Sequence, residues 1–102
     1  MALKDSMNSP VVHYIKADDY TGKIGETITI KATDDFKAVR VAVTILDSKG
    51  KKIESGDARR MLRKPAIWKY HTTVANPKLK ETVIKVRAFD LPNNESELEI
   101  KM

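Results

Sequence analysis

Residues 38–46 read AVRVAVTIL, and the spacing within them decides the fold class. Val39, Val41, Val43 and Ile45 fall on one parity, and Arg40, Ala42, Thr44 and Leu46 on the other. Branched Cβ groups pack well on a pleated surface, so a period of two with branched residues on one parity is the mark of a strand with a buried face. On a helix the same four residues would scatter around the axis and form no stripe. The semi-apolar second face, with Ala42 and Leu46, suits a strand inside a sheet.

The segments that follow pack against this one. Residues 51–54 return as a short strand with Ile53 inward, after a tight turn over Asp47-Ser48-Lys49-Gly50. Residues 67–73, IWKYHTT, place Trp68, Tyr70 and Thr72 on one face, which makes Trp68 the central core aromatic. Residues 82–90, TVIKVRAFD, send Ile84, Val86 and Ala88 inward, while Lys85 and Arg87 share the outer face with Val83 and Phe89. Residues 95–101 close the chain with Leu98 and Ile100 inward.

Upstream, residues 27–33 (TITIKAT) alternate with Ile28, Ile30 and Ala32 inward, and residues 11–15 (VVHYI) form a short edge strand whose inner face the pattern leaves open. Residues 1–10 are polar and aperiodic and read as a tail or linker before a single domain over 11–102. Residues 55–65, SGDARRMLRKP, admit two readings. Asp57 caps one helical turn over 58–62 that sets Met61 and Leu62 on the core, or the segment crosses between sheets as a loop. About seven short strands with turn signals roughly every eight to twelve residues predict an all-β, immunoglobulin-like two-sheet sandwich of antiparallel strands, with a barrel as the alternative.

The chain has 102 residues, one domain's worth, and that length buries roughly 60–70% of the unfolded chain's surface. It has no cysteine, which excludes disulfides and thiolate metal sites. Nineteen Lys and Arg against 14 Asp and Glu leave a net charge of +5, which favours weak attraction to polyanions. No apolar run is long enough to span a bilayer.

From Glu26 to Lys101 the chain resembles the bacterial immunoglobulin-like and fibronectin-III-like modules. ITIKATDDFKAVRVAVTI (28–45) looks like their second and third strands joined by an acidic turn. VTILDSKGKKIESG (43–56) resembles their hairpin return, and VRAFDLPNNESE (86–97) the end of their sixth strand, with Asn93 where that pattern has Gly and Asn94 matching its Asn. The resemblance implies a noncatalytic accessory, spacer or adhesive module of a larger bacterial secreted or cell-envelope protein, with neighbouring domains as partners. The alternative is a carbohydrate- or anionic-ligand-binding module that uses a basic patch and exposed aromatics, with a glycan or a protein as its ligand.

Ligand-binding candidates are the basic cluster Arg59, Arg60, Arg63 and Lys64, joined by Lys49, Lys51 and Lys52 near one edge, with the rings of Tyr14, Tyr20 and Phe89. Asp34 and Asp35 after the second strand, with Asp90, Asn93 and Asn94 after the sixth, offer hard oxygens for calcium, although such residues also close turns by bonding nearby N–H groups. His13 and His71 lie in different strands without a third ligand. No phosphate loop, nucleotide fingerprint or nucleophile–base pair occurs, so the pattern points to no enzyme, no cofactor and no nucleic-acid partner.

Overall fold

The computed structural model describes residues 10–33, 40–90 and 94–102. Eight strands appear: β1 (Val11–Lys16), β2 (Thr27–Thr33), β3 (Arg40–Leu46), β4 (Lys52–Asp57), β5 (Arg59–Arg60), β6 (Ile67–His71), β7 (Val83–Phe89) and β8 (Glu95–Lys101). They form two four-stranded sheets of order β1-β2-β6-β5 and β4-β3-β7-β8. Every pairing is antiparallel. The order within each sheet is that of an immunoglobulin-type sandwich, with β4 as an added edge strand beside the central β3.

Alternation on the central strands holds as expected. Ile28, Ile30, Val41, Val43, Ile45, Ile84, Val86 and Ala88 are fully buried, and Trp68 and Tyr70 are nearly so. The expected place of Val39 on the inner face lies outside the described residues, as do Asp34, Asp35 and Asn93.

Three expectations change. First, β1, whose inner face the pattern left open, turns alternate residues inward only in part, because its register to β2 shifts between Val12 and Tyr14. The extra residue, His13, lets Val12 and Ile15 both turn to the core, which a regular strand forbids. Second, residues 58–62 form no helical turn. Ala58 donates to Val41 of the second sheet, and Arg59 already pairs with Lys69 of the first. β4 and β5 are thus one extended path that changes sheet at Ala58, the loop-crossing alternative. Asp57 bonds Arg40 at 2.9 Å and caps nothing. Met61 is exposed and Leu62 is 98% exposed, so neither touches the core. Third, Tyr20 is no surface contact. It is buried, and its hydroxyl accepts from Asn76 Nδ2 at 3.2 Å.

Glu54, on the edge strand β4, is only 6% exposed. Its Oε1 accepts from the Tyr70 hydroxyl (2.6 Å), the Thr73 amide (2.9 Å) and the Thr73 hydroxyl (3.0 Å), and its Oε2 from the Val74 amide (3.1 Å). Glu54 belongs to one sheet and Tyr70 to the other, so the carboxylate pins the sandwich shut along one side. Burial and the bond to Glu54 push the Tyr70 hydroxyl's pKa up, which keeps it a donor. Gly56 leaves room for the Tyr70 ring: a Cβ there would lie 3.1 Å from its Cε1.

The two poles can be assigned from register. Val11 faces Thr33, Ala88 faces Ser96, and Ser96 Oγ bonds the carbonyl of Pro10, so β1 and β8 start at one pole and run parallel to the other. Pro10 itself is buried and part of the packed unit.

Candidate functional site

The two outer faces differ in charge. β1, β2, β5 and β6 contain no acidic residue, whereas β8 alone carries Glu95, Glu97 and Glu99. On the second sheet most of the charges pair. Arg87 bonds Glu97 at 3.0 Å, Lys85 lies 3.8 and 3.9 Å from Glu97 and Glu99, and Arg40 holds Asp57. On the first sheet, Lys16, Lys31, Lys69 and Arg59 have no ion-pair partner among the described residues.

Register sets these cations in order. Lys16 sits opposite Thr29, Thr29 opposite Lys69, and Lys69 opposite Arg59. This row crosses all four strands. The next row runs from Tyr14 to Lys31 to Ile67, whose carbonyl accepts from the Met61 amide. Beyond the sheet, the β5–β6 connection brings Arg63 and Lys64 over the face. Tyr14, Lys16, Arg63, Lys64 and Lys69 line a groove of about 480 Å³, with Asp19 as its one acid. That volume falls within the usual range for ligand sites.

A second hollow, of about 380 Å³, lies between the open edges of the two sheets and is lined by Ser55, Asp57, Arg59, Lys69 and His71 among others. Lys69 borders both hollows. His13 Nε2 shares a 2.6 Å hydrogen bond with Thr33 Oγ1, and His71 Nδ1 a 3.2 Å bond with Thr27 Oγ1.

The structure therefore divides the candidates named from sequence. It brings Tyr14, Arg63 and Lys64 to one groove and sets Arg59 beside it. Arg60 takes the opposite parity, with its guanidinium 5.8 Å from the Trp68 ring, covering the side of the core. Phe89 lies on the outer face of the other sheet, under Arg40 at 5.6 Å. Lys49, Lys51 and Lys52 belong to the far end of β4, so they form no common patch with Arg63 and Lys64.

Lys16, Lys31 and Lys69 are the residues that sequence reasoning missed. Their signal was the lack of acids in VVHYIK, TITIKAT and IWKYH. Among the described calcium candidates, Asp90 is buried and accepts from the Asn94 amide at 2.9 Å and its Nδ2 at 3.4 Å, which closes the turn. No group of three or more His, Asp or Glu gathers among the described residues in a way that could hold a metal.

No protein-family model matches the chain, and neither does any curated protein sequence. Among solved structures it is similar to CopC from Methylosinus trichosporium OB3b. The TM-score is 0.63 at 17% identity, over 90% of this chain and 89% of that one. At that identity the likeness establishes the sandwich and nothing about ligands. No helix among the described residues is long and apolar enough to cross a membrane.

Proposed function

We propose that this chain is a noncatalytic accessory module of a larger exported or cell-envelope protein, and that it binds an anionic ligand on the outer face of its first sheet. The observation that carries this reading is the acid-free set of four strands, whose outward cations lack partners among the described residues while most charges of the second sheet pair with one another. A solvated face of mixed charge needs no such segregation. Lys69 and Arg59 stand directly opposite one another, an arrangement that is unfavourable until an anion lies between them. Tyr14, 42% exposed, adds a flat apolar surface at the rim of the groove. The outward residues are cations, hydroxyls and apolar groups, a set suited to holding and orienting an anion. The exported setting is supported by the resemblance to bacterial immunoglobulin-like modules.

A glycan array tests this reading. Retention of carboxylate- or sulfate-bearing glycans, abolished by the triple change Lys16→Gln, Arg63→Gln and Lys69→Gln, is the expected result. Retention of neutral glycans alone, or no difference between the wild type and the triple variant, would overturn it.

A further inference from the structure

We infer that the ligand is a linear acidic polysaccharide laid across the strands of the first sheet, and that a compact anion in the groove does not satisfy the site. This rests on the anionic-ligand reading above and specifies its substrate class.

Dimension is the first argument. The row from Lys16 to Arg59 spans three interstrand spacings, about 14 Å, wider than any single sugar ring or inorganic anion. Continuity is the second. Lys69 borders both the groove that holds Tyr14, Arg63 and Lys64 and the cleft that holds Arg59 and His71, so the two hollows form one track that turns the β5 edge. A compact anion in the groove leaves Arg59 with only Asp57 nearby as an acid, and Arg40 already holds that carboxylate. A chain with an acid on successive units neutralises both Lys69 and Arg59.

The polar lining identifies the polymer. Thr29 sits between Lys16 and Lys69, and Ser55 lines the cleft, so hydroxyl partners alternate with cations as sugar hydroxyls alternate with carboxylates. Single-stranded nucleic acid is held by a succession of stacked rings. Here the groove offers one, Tyr14. Met61 lines the groove with Ile67 and adds apolar surface there, while Leu62 is not part of the lining.

The probe is oligogalacturonate as monomer, dimer, tetramer and octamer, titrated into the full chain and followed by backbone amide NMR shifts. Affinity should rise at least tenfold from monomer to octamer, as linked contacts add. Shifts at Tyr14, Lys16, Arg63 and Lys64 should appear with every length, and shifts at Arg59 and His71 only with the longer ones. For four to five neutralised charges, log K should fall with log salt at a slope of roughly −3. Arg59→Gln, on the surface and with its melting temperature checked, should weaken octamer binding by a larger factor than monomer binding, so that most of the gain with length is lost.

Equal affinity for monomer and octamer, with shifts confined to the groove, would overturn the extended chain and leave the anionic-ligand reading standing. No shift on this face with any acidic saccharide would overturn both. Tighter binding to a length-matched oligonucleotide, or to vesicles containing anionic lipid through Leu62, would overturn the polysaccharide class.

Discussion

Replacing Glu54 with alanine should be among the most damaging single changes to this fold. Four donors converge on that carboxylate at 2.6–3.1 Å. A hydrogen bond to a charged acceptor contributes about 1.5–3 kcal/mol, and a buried donor left alone costs about 1–3 kcal/mol. Thr73 and Val74 sit at the rim and regain water once the carboxylate is gone, while the Tyr70 hydroxyl is buried and does not. The sum is therefore about 3–5 kcal/mol, a large share of the stability of a domain this size. Urea denaturation should show the midpoint falling with the slope unchanged. Glu54→Gln keeps one acceptor oxygen but turns an amide toward a backbone donor, and should lose about 1–2 kcal/mol. Tyr70→Phe should cost about 1 kcal/mol in the wild type and almost nothing in the alanine background. A loss below about 1 kcal/mol for Glu54→Ala, or strict additivity with Tyr70→Phe, would refute the pin between sheets.

Trp68→Ala should destabilise by about 3–5 kcal/mol in the same assay. Trp68→Phe should cost far less, because the indole Nε1 is buried without a hydrogen-bond partner among the described residues and its removal offsets part of the lost contact. Gly22 and Gly25 both have positive φ, 96° and 87°, but a Cβ at Gly22 would lie 2.1 Å from the Asn76 carbonyl while one at Gly25 meets nothing within 4 Å. Gly25→Ala should therefore cost about 1–2 kcal/mol for the backbone conformation alone, and Gly22→Ala clearly more, as read from melting curves. Glu26 accepts from the Thr21 hydroxyl and from the Thr21 and Lys23 amides, bonds that lower its pKa in the folded chain. A depressed folded pKa contributes stability above the ordinary carboxylate value and loses it as pH falls through the folded value. Melting temperature should thus decline below about pH 4.5, less steeply in Glu26→Gln.

The central strands were legible because each buries one face and exposes the other, so residue parity alone reports the inner side of β2, β3, β6 and β7. Where parity breaks, the sequence is silent. The bulge at His13 depends on β2 across from it, and a second shift between Ile45 and Leu46 helps carry Glu54 to a buried position. Nothing near Glu54 in sequence shows that four donors from residues 70–74 await it. Residues 58–62 misled because Ala, Arg, Met and Leu all favour helix, yet Ala58 and Arg59 are held extended by hydrogen bonds to two different sheets. The site followed the same logic. Arg63 and Lys64 drew attention as neighbours in sequence, whereas Lys16, Lys31 and Lys69 become neighbours only once β2 lies between β1 and β6.

The parallel course of β1 and β8 bears on mechanics. The chain enters the sandwich at one pole and leaves at the other, so tension applied through Pro10 and Met102 runs along the strand axes. The ladder between β1 and β2 lies across that direction, and its bonds share the load together in shear instead of opening one after another like a zipper. A module threaded this way transmits pull along its length and still presents the cationic face broadside to whatever lies beside it.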